Sequence, residues 1–267
     1  MNRAGNLLLV FCAEAKRHFR DQWSHLGDSL SWLVYTLLMF AAVVVILNGI
    51  SGGDLGTDER FLVMIGWLTW MVAGSYMRDL PAAITDEAET GTLEQLCLSP
   101  VPLSIVLTVR GMVHFIGVSV RGLLAAAILT IFITPLPIGS SLIMLFFISM
   151  AGAYGMGFLF AGLALVFKRI AAFTELVYSL MIFLTGAFVG LESLGWVFTV
   201  LRYMFPLTWG ISMMRQVVGE GLTLTSLLQS GELVGLILHS AVFVGVGLTI
   251  FAWGYRHARM KGTLAHY

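Results

Sequence analysis

Charged side chains are scarce in this sequence of 267 residues, at 11% against about 25% in soluble domains. Hydrophobic residues make up 58%, and the mean hydropathy is +0.90. Lys and Arg balance Asp and Glu at 15 each, so no basic or acidic domain points to a nucleic acid partner. The composition predicts an integral membrane protein.

Several residue patterns that support chemistry are also missing. Cysteine occurs only at Cys12 and Cys97, both in segments assigned below to the reducing cytosol, so we expect no disulfide and no metal site. The phosphate loop G-x-x-x-x-G-K-[ST] is absent, which removes the usual cradle for ATP. H-E-x-x-H and G-x-S-x-G are absent too, and the histidines are scattered. We therefore expect neither an enzyme nor a chain that binds a cofactor itself.

The chain does contain uncharged runs long enough to cross a bilayer, for which roughly 20 apolar helical residues are needed. The third of these runs must reach back past Arg121. They predict an all-α protein with six transmembrane helices at residues 29–50, 61–77, 113–134, 140–167, 170–190 and 233–255.

The positions of Lys and Arg orient these spans, because basic residues are retained on the cytoplasmic side. With both termini in the cytosol, only Arg60, Arg202 and Arg215 lie outside. The opposite orientation would place eleven basic residues outside. We expect a multi-pass protein of a prokaryotic inner (plasma) membrane with both termini in the cytosol.

Residues 1–27 are amphipathic and do not form a signal peptide, since their charges are interleaved with apolar residues. The apolar positions recur at helical spacing: Leu8, Phe11, Ala15, Phe19 and Trp23. The opposite arc carries Glu14, Lys16, Arg17, Arg20 and Asp21. This pattern predicts a helix on the inner leaflet, with Lys16, Arg17 and Arg20 among anionic headgroups. The alternative is a cytosolic helix packed on protein, and either one would serve anchoring or force transmission.

Residues 86–100, DEAETGTLEQLCLSP, form an acidic segment between the second and third spans. Thr92 can cap a short helix that begins near Leu93 and carries Glu94 in its first turn. Ser99-Pro100 ends that helix. The segment predicts a short cytosolic helix with acidic residues at its tip, suited to docking in a partner's groove. A solvated loop is the alternative.

Residues 192–219 follow the fifth span and contain two stretches too short to cross the membrane. Pro206 suits the first turn of a helix and Gly219 its end. We interpret the segment as a re-entrant external hairpin, broken at Phe205-Pro206, that gates the translocation path with Phe205, Pro206 and Trp209. Exposed loop helices are the alternative, although the aromatic content argues against full hydration.

Charges inside a span need a partner or water. Arg121 and Glu175 are placed on the order of 8 to 12 Å from the inner boundary, so we hypothesise that they pair or share a hydrated vestibule. Snorkelling of Arg121 to the headgroups is the alternative. His239 in the sixth span is interpreted as a structural, hydrogen-bonded histidine. Ala153, Gly157 and Ala161 have the spacing of a close helix contact.

Two stretches of this sequence resemble one family. ETGTLEQLCLSPVPLSIVL is similar to the signature between the second and third spans of ABC-2 type exporter permeases. The sequence from Gly162 to Gly221 resembles the later half of the same family, with Phe-Leu-Thr-Gly in the fifth span, a short external helix, then Pro-Leu-Thr and an Arg. The G-T-L-E-Q-L element is closer to the drug and lipid branch.

The resemblance implies a permease that forms a dimer with a second copy or a paralogue and works with two ABC ATPase subunits, which bind ATP and Mg. It implies export of an amphiphilic or hydrophobic substrate. Glycan exporters and, less so, a proton-coupled transporter are the alternatives. The implied contact with the ATPase is a coupling segment that contains Asp86, Glu87, Glu89, Gly91, Thr92, Leu93, Glu94, Gln95 and Leu96.

Overall fold

A computed structural model describes residues 3–24, 26–90, 101, 103–132, 139–186 and 204–261. Within these ranges every regular element is an α-helix, which agrees with the predicted all-α class. The helices are α1 (Arg3–Ser24), α2 (Leu26–Ser51), α3 (Thr57–Glu89), α4 (Leu103–Phe132), α5 (Ser140–Phe167), α6 (Ala171–Leu184), α7 (Pro206–Gly219), α8 (Leu224–Gln229) and α9 (Glu232–Met260).

Four of these helices are long and apolar enough to cross a membrane: Gly27–Ile50, Ile105–Ile131, Ser140–Phe167 and Glu232–Met260. The chain is therefore a multi-pass membrane protein. The second and fifth predicted spans fall in α3 and α6, which are not among these four. The count of six spans stays a prediction.

The helix α3 extends well beyond the predicted span 61–77, and the end of the span at Met77 stays a prediction. It passes through Arg78 and Pro81 and reaches Glu89. Within this helix, Nε of Arg78 donates to the Gly74 carbonyl at 3.2 Å, and the guanidinium has an acidic partner, described below. Asp86 and Glu87 lie on the same continuous helix as the predicted second span.

The helix α4 also begins earlier than predicted, at Leu103 instead of Val113. Its first two turns place Arg110 opposite the end of α3. The predicted short helix that begins near Leu93 lies among residues 91–100, outside the described ranges.

The centre of the bundle is the contact between α5 and α9, the most extensive in the described part of the chain. Glycines make this approach possible: a side chain at Gly155 or Gly162 would meet the backbone of α9, and one at Gly247 or Gly254 would meet the backbone of α5. On another face of α5, a Cβ at Gly157 would lie 2.6 Å from the Tyr76 carbonyl oxygen of α3. The predicted small-residue contact therefore occurs within the subunit.

The helix α7 confirms the predicted helix after the Phe205-Pro206 break. Pro206 is in its first turn, and Phe205 precedes it in an extended conformation. Its inner face is buried against α3 and α5, and Trp209 lies against Gly235 of α9. His239 contacts the Met204 carbonyl through Nε2 at 3.0 Å, as expected of a structural histidine. The first half of the predicted hairpin lies in residues 187–203, outside the described ranges, so the hairpin stays a prediction.

Candidate functional site

Four charged side chains from three helices meet where the end of α3 approaches α1 and the start of α4. We call Glu14, Arg17, Glu87 and Arg110 the charge cluster. Arg110 forms a fork with Glu14, with Nε 3.0 Å from Oε2 and Nη2 3.3 Å from Oε1. Its Nη1 donates to Oε1 of Glu87, which also accepts from Nη2 of Arg17 at 3.3 Å. The cluster contains two cations and two anions.

Three members of the charge cluster are largely removed from solvent. The exposed fraction is 16% for the Arg110 side chain, 12% for Glu14 and 10% for Glu87, whereas Arg17 is 55% exposed. Charges with this little water depend on their partners, and a planar guanidinium can satisfy two carboxylates at once. Arg110 is therefore the central residue, and Arg17 is a peripheral one.

Next to the charge cluster lies a second group of polar side chains, which helical spacing on α1 and α4 places beside the first. His18 follows Glu14 by four residues, and His114 follows Arg110 by four, so each pair shares one helix face. His114 lies 3.2 Å from Asp79 of α3 through Nε2 and Oδ2, and its ring lies 6.1 Å from that of His18. A cavity of about 280 Å³ lies between α1, α3 and α4 at this point, and most of the side chains that line it are polar or charged. This spacing was visible in the sequence, but the pairing across helices was not.

The carboxylates at the start of the predicted coupling segment do not share one environment. Asp86 and Glu89 are exposed, as the sequence predicts, but Glu87 is buried in the charge cluster. Glu87 is therefore not at a solvated acidic tip, because the last turns of α3 direct its side chain toward Arg110. The N–H of Thr90, the residue after the last one of α3, donates to the Asp86 carbonyl at 2.9 Å. Gly91, Thr92, Leu93, Glu94, Gln95 and Leu96 lie outside the described ranges, so their role in coupling stays a prediction.

The predicted N-terminal helix is present as α1, and it combines features of both alternatives considered for it. It packs on α4 and α2, as a helix packed on protein would. Lys16, Arg17 and Arg20 are exposed, as an interfacial helix requires, and so are the apolar Phe19 and Trp23. The polar residues of α1 therefore do not all face the same surroundings, because Glu14 contacts Arg110 inside the protein while Lys16, Arg17 and Arg20 are exposed.

The structure does not bring Arg121 and Glu175 together, which corrects the hypothesis of an intramembrane pair. Glu175 of α6 faces α3, where its Oε2 lies 3.6 Å from Nη1 of Arg78. Arg121 of α4 faces α2, and its guanidinium lies 5.8 Å from the centre of the Trp32 ring. Both helices pack on α3, but within the described ranges α4 and α6 share no extensive contact, so the predicted equal depth of the two residues was not sufficient to bring them together.

An aromatic cleft of about 530 Å³ between α2, α3 and α6 was missed by the sequence analysis. Its walls include Trp32, Trp67, Trp70, Arg78, Glu175 and Tyr178. Trp70 and Tyr178 stack with ring centres 4.4 Å apart and planes 8° apart. The Arg78 guanidinium lies 4.1 Å from the Tyr178 ring centre. Trp67 and Trp70 share a helix face, as do Glu175 and Tyr178, and this spacing was the available signal.

Comparison with models of protein families identifies the family of this chain. A search among curated proteins finds no match to this chain. The model of the family described as ABC-2 type transporter matches residues 10–218. That range covers well over half of the chain and includes the charge cluster, the aromatic cleft and most of α7. The chain therefore belongs to the ABC-2 type transporter family and is a membrane permease of an ABC transporter, a class that works with an ABC ATPase subunit.

Proposed function

We propose that this chain is the permease of an exporter that moves an amphiphilic or hydrophobic molecule outward, such as a drug, a lipid or a lipid-linked molecule. A separate subunit binds ATP and Mg and hydrolyses the nucleotide, and this chain is not itself an enzyme. Two permeases, identical or paralogous, assemble with two ATPase subunits. Each permease crosses a prokaryotic inner membrane six times with both termini in the cytosol.

The observation that carries this proposal is the charge cluster. Glu87 belongs to the segment proposed to contact the ATPase, and it is tied to Arg110 of α4 and Arg17 of α1. Breaking a buried charge pair costs about 3 to 5 kcal/mol, because the remaining charge is left without compensation. The end of α3, the start of α4 and the middle of α1 therefore resist separation and move together. A push on residues 86–98 reaches two further helices through these contacts.

The aromatic cleft supports an amphiphilic substrate. Its stacked Trp70 and Tyr178 rings offer a flat apolar surface, and the ion pair of Arg78 and Glu175 lies beside that surface. Arg78 and Glu175 are 38% and 55% exposed, so both can exchange their mutual contact for one with a ligand. A molecule with one apolar part and one polar part matches both features.

Reconstitution tests the proposal. The permease is purified together with an ABC ATPase encoded in a neighbouring reading frame and is placed in vesicles that contain a fluorescently labelled phospholipid. We expect translocation of the label with ATP and Mg, and none when the phosphate-loop lysine of the ATPase is replaced. Translocation driven by an imposed proton gradient without ATP would refute the proposal. A label that does not move while a glycan-linked lipid does would refute the assignment to the drug and lipid branch only.

A further inference from the structure

A second groove, of about 590 Å³, lies between α1, α2 and α4, and its walls are almost entirely apolar. The exposed side chains along it include Phe19 and Trp23 of α1, Leu30 of α2, and Val120 and Leu124 of α4. Water in such a groove would meet very few polar atoms. In a membrane protein a groove of this kind suits a hydrocarbon chain.

One cation interrupts this apolar wall. Arg121 lines the groove, and its Nε is buried and has no hydrogen-bond partner within the part of the chain that the structure describes. Asp79 attracts Arg121 through space, but it contacts His114 at 3.2 Å and forms no ion pair with Arg121. A charge in an apolar membrane setting is costly unless an anion or water compensates it. Among the described residues, the guanidinium faces the Trp32 ring at 5.8 Å from its centre, and no carboxylate forms an ion pair with it.

On α4 the groove is lined from Val113 to Leu124, and Arg121 lies within this length. A helical side chain leans toward the N-terminal end of its helix. The Arg121 guanidinium is thereby directed toward the level of Gly117, where His18 of α1 lies against α4. Leu124 continues the apolar wall in the opposite direction. The groove thus has one cation with apolar wall on both sides of it, and an amphiphile with an anionic head complements this combination.

We propose that this groove binds an anionic phospholipid of the membrane, with its phosphate at Arg121 and one acyl chain along Phe19, Trp23 and Leu124. The lipid is a resident component and not the transported molecule, so this inference does not depend on the proposed function. It holds α1 against α4. Because α1 supplies Glu14 and Arg17 to the charge cluster, the lipid also stabilises that cluster indirectly.

Native mass spectrometry of the full chain in mild detergent tests the proposal. Dioleoylphosphatidylglycerol is the anionic probe, and dioleoylphosphatidylcholine is its zwitterionic counterpart with the same chains. We expect the wild-type protein to bind the anionic lipid about tenfold more tightly, the size of one charge-assisted contact. Arg121→Gln should reduce this preference to about twofold or less. The control Arg169→Gln removes an exposed cation outside the groove and should leave the preference unchanged.

A variant that fills the groove separates the chain contact from the charge contact. Val120→Trp keeps Arg121 and should weaken binding of both lipids by about fivefold or more. The proposal is overturned if Arg121→Gln keeps the wild-type preference, or if Val120→Trp binds both lipids as the wild type does. A loss of permease dimers in Val120→Trp with unchanged lipid binding would identify the groove as a protein interface and also overturn it. If Arg121→Gln does not yield monodisperse protein, the Val120→Trp result decides alone.

Discussion

Replacing Arg110 by Met is the most informative change to this protein, because Arg110 contacts both buried carboxylates of the charge cluster. Met has a similar length and no charge, so the substitution removes the guanidinium with little loss of apolar packing. Glu14 and Glu87, at 12% and 10% exposure, lose their shared partner. Arg17, which is 55% exposed, still contacts Glu87. In the variant, Glu14 no longer contacts a cation of the charge cluster.

The expected cost follows from this geometry. Removing one partner of a buried charge pair costs about 3 to 5 kcal/mol. For a chain of this size, each kcal/mol lowers the melting temperature by roughly 2 to 4 °C, so Arg110→Met should lower Tm by on the order of 10 °C. The matched change Arg17→Met removes an exposed partner and should cost about 1 kcal/mol or less. Adding Glu14→Gln and Glu87→Gln to Arg110→Met should recover most of the stability, because no unpaired buried charge remains.

Two assays check this prediction on the same preparations. Thermal unfolding in detergent reports stability, and ATP hydrolysis with lipid translocation in vesicles reports coupling. The triple variant should fold yet hydrolyse ATP with little translocation, because the contacts between α1, α3 and α4 are gone. The reasoning is refuted if Arg110→Met and Arg17→Met lower Tm equally, or if the triple variant translocates lipid as well as the wild type does.

Three further predictions concern other parts of the bundle. Gly247→Val should lower Tm by several degrees, since overpacking costs about 1 to 3 kcal/mol, whereas Gly245→Val, with open space around its Cβ, should change Tm little in the same unfolding assay. Glu175→Gln removes a half-exposed partner of Arg78 and should cost about 1 kcal/mol or less; a Tm loss like that of Arg110→Met would mean that Glu175 neutralises a buried cation instead. His239→Gln can keep a hydrogen bond to the Met204 carbonyl, so ATP-driven translocation should keep its rate and pH dependence; a changed pH profile would indicate a proton relay.

Local rules account for the features that the sequence predicted well. A bilayer needs a fixed length of apolar helix, so long uncharged runs identify the membrane class and the helices α2, α4, α5 and α9. Pro206 and Gly219 bound α7 because proline is compatible with a first helical turn and glycine with an end. Helix boundaries next to charges were less predictable. The charge of Arg78 predicts a span that stops at Met77, but the helix continues to Glu89, and Arg78 contacts the Gly74 carbonyl of its own helix and the Glu175 carboxylate of α6.

The candidate site depended on tertiary structure. Helical periodicity, which the sequence alone determines, gives the helix face on which Glu14, Arg110 and Glu175 lie and their position along each helix. Which helix lies opposite each face is decided by packing, above all by the close contact of α5 with α9 and by the extension of α3 beside α4. Arg110 therefore meets Glu14 across 96 residues, and Glu175 meets Arg78 instead of Arg121. Charge pairing acts over a few ångströms, so only the packed bundle decides which partners come within reach.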